Sequence, residues 1–154
     1  MKYQGQFKPK HPDKYIGNPT NIMYRSGWEL SVMFWCDKKD NVVAWCSEDI
    51  QVPYLCPTDN KIHRYFVDFL IKFKSGKIVL VELKPAYQCQ KPVMKTKKPG
   101  RRFANQVFAY TKNQAKWKAA KQFAESKGWE FTVWTEHTLN ELNIARVGKY
   151  AKAI

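Results

Sequence analysis

Residues Tyr65 to Pro85, YFVDFLIKFKSGKIVLVELKP, constrain the fold of this chain more than any other stretch. Two apolar runs flank Lys74-Ser75-Gly76. A glycine at the third position of such a loop supplies the positive φ that a three-residue β-hairpin connection requires. The second run, Ile78 to Lys84, is apolar on both faces as far as Glu82, the pattern of a central strand covered on both sides. In the three-residue register Phe73 faces Lys77, Leu70 faces Leu80 and Asp68 faces Glu82. A two-residue Ser75-Gly76 loop would slip the pairing by one and break that convergence.

Directly opposed strand residues have Cβ atoms ~5 Å apart, and diagonal neighbours such as Asp68 and Lys84 ~7–8 Å. Glu82 and Lys84 are two apart and share a face. The register therefore gathers Asp68, Glu82 and Lys84 among Phe66, Leu70, Ile78 and Leu80. A Glu-x-Lys pair on a strand is ordinarily a solvated face. Two carboxylates opposed across an apolar surface repel each other and lose hydration. A divalent cation would relieve both costs, so the cluster is a candidate catalytic site.

The chain has 154 residues, 44% of them hydrophobic and 15% aromatic, enough for one globular domain and unlike a disordered chain. No apolar run approaches the ~20 residues of a membrane span. The N-terminal MKYQGQFKPKHPDKY lacks the apolar centre of a secretory signal. A formal net charge of +14 points to a polyanionic partner. Nucleic acid is the first candidate. An anionic membrane is second and lacks a clear basic amphipathic helix to support it. Cys36, Cys46, Cys56 and Cys89 form no Cys-x-x-Cys pair, and His11, His63 and His137 complete no zinc spacing. They read as reduced, mostly buried thiols of a cytosolic protein.

In chain order, residues 1–20 are rich in Pro and Lys and read as an extended basic arm, partly ordered at best. Residues 25–36, RSGWELSVMFWC, read as a buried helix. Ser26 and Glu29 have capping-box spacing, which gives Glu29 a structural reading beside that of an acid pointing into a cleft. Residues 42–55 read as one or two strands broken near Ser47-Glu48-Asp49, where Glu48 is either a further acidic group near the site or, as is more common, a solvated strand end. Pro57-Thr58-Asp59-Asn60 reads as a turn leading into the hairpin. Residues 87–102, YQCQKPVMKTKKPGRR, are too polar and basic for a core. They predict a loop whose Lys91, Lys95, Lys97, Lys98, Arg101 and Arg102 grip phosphates. Residues 103–127 are helical, in two segments. Phe103, Val107 and Tyr110 give one apolar stripe. Asn113 caps the second segment, which turns Trp117, Ala120, Phe123 and Ala124 to the core, and Gly128 is the C′ residue. Lys112, Lys116, Lys118 and Lys121 decorate the other sides. Residues 129–135 predict a strand and 138–144 a short helix. The tail is read as frayed.

The predicted order is an α/β sandwich around a mixed sheet flanked by helices. With helix-borne Glu29, Asp68 and Glu82-x-Lys84, it resembles the PD-(D/E)xK nuclease superfamily. Arg25-Ser26-Gly27-Trp28-Glu29, Tyr65-Phe66-Val67-Asp68-Phe69, Glu82-Leu83-Lys84 and Phe131-Thr132-Val133-Trp134-Thr135-Glu136 are similar to its TnsA-type branch and, within it, to head-completion nucleases of T-even-like bacteriophages. The superfamily's proline before the first Asp is Val67 here. The likeness covers about residues 20–145, so the expected boundaries are an arm at 1–20, a restriction-endonuclease-like domain at 21–145 and a tail at 146–154.

The resemblance implies hydrolysis of double-stranded DNA with Mg²⁺ or Mn²⁺. Glu29, Asp68, Glu82 and the Leu83 carbonyl would be ligands and Lys84 a catalytic cation. It further implies phage head or portal partners and a location in the host cytoplasm, with association with the virion left open. At 154 residues there is little room for a separate specificity domain, so weak sequence preference is expected. Two alternatives stay open: a non-catalytic DNA-binding plug of the head or portal, and a junction resolvase, which requires a homodimer.

Overall fold

In chain order, residues 4–147 of the computed structural model form strands β1 (Gly5–Phe7) and β2 (Ile22–Tyr24), helix α1 (Gly27–Lys38), strands β3 (Val42–Ser47), β4 (Gln51–Cys56), β5 (Lys61–Phe66), β6 (Phe69–Phe73) and β7 (Ile78–Leu83), helix α2 (Arg101–Ser126), strand β8 (Glu130–Trp134) and helix α3 (Glu136–Glu141). The predicted α/β sandwich is present. Its frame is a four-stranded mixed sheet in the order β3-β6-β7-β8, antiparallel except for the parallel pair β7 and β8. The two-stranded pairs β1-β2 and β4-β5 flank it.

Alternation along β7 divides the core. Val79 and Val81 face the cluster of Leu30, Val32, Met33, Cys36 and Trp45 beneath α1. Leu80 faces the cluster of Leu70, Val67, Tyr65, Ala120 and Ala124 beneath α2. Both faces of this strand are thus buried, as its unbroken apolar run requires. Glu82 follows Leu80 by two and lies on the α2 face.

The β6–β7 hairpin has the expected register. Leu70 pairs with Leu80 and Phe69 with Val81, and continuing the ladder places Asp68 opposite Glu82. Phe73 N–H donates to Lys77 O at 2.8 Å, Gly76 N–H donates to Phe73 O at 2.9 Å, and Gly76 has φ +93°. The three-residue loop carries the positive φ at its glycine, as predicted.

Four expectations change. First, the strand that should enter this hairpin does not run straight through. β5 ends at Phe66, pairs with β4 across the Pro57–Asn60 turn, and the chain redirects at Val67-Asp68 before β6. Val67 N–H donates to Ile50 O at 3.0 Å, a bond a proline at this position would forgo. Because the alternation is interrupted there, Phe66 leaves the Asp68 face, pairs with Gln51 and stands 48% exposed.

Second, helix 101–126 is continuous, and Asn113 lies inside it. No Gly or Pro interrupts residues 101–126, and one Asn in a helix costs only a few tenths of a kcal/mol to ~0.7. Arg101 and Arg102 belong to its first turn rather than to the loop. The second half packs as expected through Ala120 and Ala124, and Gly128 at φ +75° ends it. The first half extends past the core, leaving Val107 and Phe108 exposed.

Third, the arm is built into the body. β1 pairs with β2, Phe7 is 2% exposed against the rings of Phe34 and Trp45, and Tyr15 bridges to Trp45. Lys14 Nζ donates to the carbonyls of Cys36, Asp37 and Lys39 at the C-terminus of α1, where a cation is favoured. The Asp37 carboxylate accepts the N–H groups of Lys10 and His11 at 2.8 and 2.9 Å.

Fourth, the start of the tail is anchored. Arg146 is 7% exposed and donates to the carbonyls of Ile144 and Glu136. The remainder of the tail, and the first three residues of the arm, lie outside the described residues. The four thiols are unpaired, as expected, with Cys36, Cys46 and Cys56 buried.

Candidate active site

The site forms where the β6–β7 ladder ends. Past Phe69 the backbone pairing stops, and Leu83 N–H donates to Asp68 Oδ2 at 2.8 Å in place of a carbonyl. That bond fixes the first carboxylate. The second is fixed by Tyr65, whose hydroxyl donates to Glu82 Oε2 at 2.5 Å from the end of β5. The other oxygen, Glu82 Oε1, lies 3.7 Å from Lys84 Nζ.

Electrostatics mark this as an unfavourable place for two charges. Burial, and then the facing Glu82, hold the Asp68 carboxyl well above the ordinary carboxylate range, against the Leu83 N–H. Burial also raises Glu82, opposed by the Tyr65 hydroxyl and by the charges of Lys84 and Lys116. Glu82 is only 8% exposed. Two facing acids, both raised by burial, mark a functional site more often than a structural one.

Glu29 joins them from the N-terminus of α1. Ser26 Oγ accepts its backbone N–H at 3.1 Å, the predicted N-cap. Its carboxylate accepts Arg25 N–H at 2.6 Å. Burial raises this carboxyl too, and Glu29 in turn raises Asp68. The cap and the proximity to Asp68 thus coexist: the backbone of residue 29 serves the helix while its side chain adds charge at the site.

Two residues at the site were not legible as site residues. Tyr65 precedes Asp68 by three, so strand alternation puts them on opposite faces, and only the redirection at Val67-Asp68 lets the hydroxyl reach Glu82. Lys116 reads as surface decoration of a helix. Its Nζ lies 5.5 Å from the Tyr65 ring centroid, and its charge is felt at Glu82. Glu48 sits beside the site, the less favoured of its two readings: its N–H donates to Asp68 O at 3.0 Å and its carboxylate pairs with Arg25 at 3.2 Å.

The donor set suits a hard cation. Asp68, Glu82 and Glu29 offer carboxylate oxygens, the ligands Mg²⁺ and Mn²⁺ take. The paired acids also give such an ion a reason to bind, because it would offset their mutual repulsion. A different group, Cys56, Asp59 and His63, has its ligand atoms within 4.8 Å of one another at the tip of the β4–β5 hairpin. Its sulfur and imidazole are softer donors, and Asp59 and His63 already pair at 2.6 Å.

Beyond Lys84 the chain makes a short 3-10 turn at Ala86–Cys89 and then the basic loop. Lys91, Lys95, Lys97, Lys98, Arg101 and Arg102 are all exposed, so none is committed to the core.

Comparison with known proteins gives two matches. The family described as TnsA-like endonuclease N terminal matches residues 39–136. A protein named Head completion nuclease, from Enterobacteria phage T4, is 39% identical over 145 residues, covering 92% of this chain and 97% of that protein.

Proposed function

Since the chain belongs to the TnsA-like endonuclease family, we propose that it is a Mg²⁺- or Mn²⁺-dependent endonuclease that hydrolyses DNA with little sequence preference. Its task in this reading is trimming packaged DNA during phage head completion, as the name of its phage T4 relative suggests. The observation that carries the reading is the buried pair Asp68 and Glu82 with Lys84 beside it. A DNA-binding plug would use the +14 charge but has no use for two acids held against each other under apolar cover.

The metal would be held by Asp68, Glu82, Glu29 and the Leu83 carbonyl, and when bound would polarise the scissile phosphate and acidify a water. The chain's own residues do the positioning. Leu83 N–H and the Tyr65 hydroxyl each hold one oxygen of a carboxylate, so neither acid gives up much rotamer freedom on binding. Lys84, just past β7 and held by its N–H bond to Trp134 O at 3.0 Å, presents an ammonium to orient the attacking water or to meet the charge that develops on the phosphate. The exposed cations of the loop and of the first turn of α2 contact phosphates and read no bases. The decisive test is pure protein incubated with supercoiled and linear DNA, with Mg²⁺ and with a chelator. Nicking and linearisation only with the metal are expected. Cutting that survives the chelator, or none with Mg²⁺ or Mn²⁺, would overturn the reading.

The loop makes a separate prediction. Replacing Lys95, Lys97, Lys98, Arg101 and Arg102 by Gln should weaken binding alike on unrelated sequences. The log–log salt slope of binding should fall by roughly 0.7–0.9 for each phosphate that the protein no longer neutralises. An unchanged slope would show that these side chains face only solvent.

A further inference from the structure

A groove of about 820 Å³ runs between residues 87–95 and the N-terminal half of α2. It begins three residues after Lys84. Its character differs from that of a phosphate-gripping surface. Tyr87, Val93 and Tyr110 line it. Tyr87 is 73% exposed, and its hydroxyl accepts a hydrogen bond from Gln88 Nε2 at 2.8 Å, so the ring is braced yet open to a ligand. Lys91, Lys95, Arg101 and Arg102 supply the charge, and the described lining contains no carboxylate. Gln90, Gln106 and Asn113 add amides able to donate and accept.

Paired DNA keeps its base faces stacked inside the duplex and offers a protein its phosphates and groove edges. Apolar rings in a cationic groove gain nothing from that. An unpaired strand offers base faces to the rings and phosphates to the cations together, the combination by which single strands are bound. The groove size falls within the roughly 300–1,000 Å³ of sites that enclose organic ligands, so it admits bases as well as a backbone.

We propose that this groove holds an unpaired DNA strand, with bases stacked on Tyr87 and Tyr110 and phosphates on the surrounding cations. The enzyme's preferred substrate is then a duplex with a single-stranded tail or gap, whose paired part lies at Asp68 and Glu82. The inference rests on the nuclease reading for its biological sense but is tested apart from it.

The test measures affinity for a blunt duplex and for the same duplex with a short single-stranded tail, in chelator so that nothing is cut. The tailed duplex is expected to bind about tenfold or more tightly, since base stacking on an aromatic side chain is worth ~1–3 kcal/mol per base. Tyr87→Ala should cut that ratio severalfold and Tyr87→Phe should preserve it. Equal affinities for the two duplexes, or a ratio indifferent to Tyr87→Ala and Tyr110→Ala, would overturn the proposal. So would a chain that dimerises through this face, shown by Tyr87→Ala yielding monomers with an unaltered ratio. Cleavage of blunt duplex in Mg²⁺ is scored separately. Cutting without tail preference leaves the nuclease reading intact and removes this one; tail preference without cutting does the reverse.

Discussion

Asp68→Asn is expected to lose about a thousandfold in cleavage rate while binding DNA as the parent chain does. A metal ion's stabilisation of transition-state charge is worth several kcal/mol, and each ~1.4 kcal/mol is tenfold in rate. Binding should survive, because in the proposed reading affinity comes from phosphate contacts elsewhere. Glu82→Gln and Lys84→Ala should behave likewise, and near-normal cutting by any two of the three would remove the site assignment. Glu29→Gln isolates charge from capping, because the cap uses Ser26 Oγ and the backbone N–H of residue 29, and Gln retains an oxygen for Arg25 N–H. A rate loss of roughly tenfold with little change in melting temperature is expected, as for a supporting metal-site residue. A lower melting temperature with intact turnover would instead make Glu29 a capping residue only.

The same Asp68→Asn chain should be more stable than the parent when metal is chelated. The folded carboxyls of Asp68 and Glu82 are raised by burial and, for Asp68, by the facing acid. Folded protein then holds those protons to higher pH than unfolded chain does, so parent stability falls as pH rises above about 4. The two proteins should melt alike below that range. At pH 7 the variant should melt on the order of a few degrees higher. Equal melting at both pH values would show that burial and the facing acid do not raise the Asp68 carboxyl. If the proposed head-completion role holds, phage with Asp68→Asn should make DNA-filled heads that fail to become infectious, as a deletion would. Full infectivity of that variant beside a defective deletion would make the protein a structural plug.

Phe7→Ala should destabilise the protein by about 3–5 kcal/mol, the usual cost of truncating a buried phenylalanine. Phe7 is 2% exposed and meets the rings of Phe34 and Trp45 at 5.1 and 5.9 Å. For a chain of this length the melting temperature would drop by roughly 6–20 °C, measured by thermal or urea unfolding. A loose arm would predict a change within ~0.5 kcal/mol.

The sequence alone determined the parts that local rules govern. Gly76 set the loop, the loop set the register, and the register put Asp68 opposite Glu82. The unbroken apolar run of β7 announced a strand covered on both sides. Ser26 and Gly128 marked helix ends by chemistry that acts within one turn. The family motifs were legible because they lie on these local elements.

What only the tertiary structure decided depends on groups far apart in the chain. The turn at Val67-Asp68 exists because Val67 N–H binds Ile50, and it alone carries Tyr65 to Glu82 and turns Phe66 outward. Lys116 becomes a neighbour of Glu82 only when α2 packs on the sheet. The arm reads as Pro- and Lys-rich coil because its partners, Trp45 and Asp37, stand more than twenty residues away, and composition cannot report an interaction made at that distance.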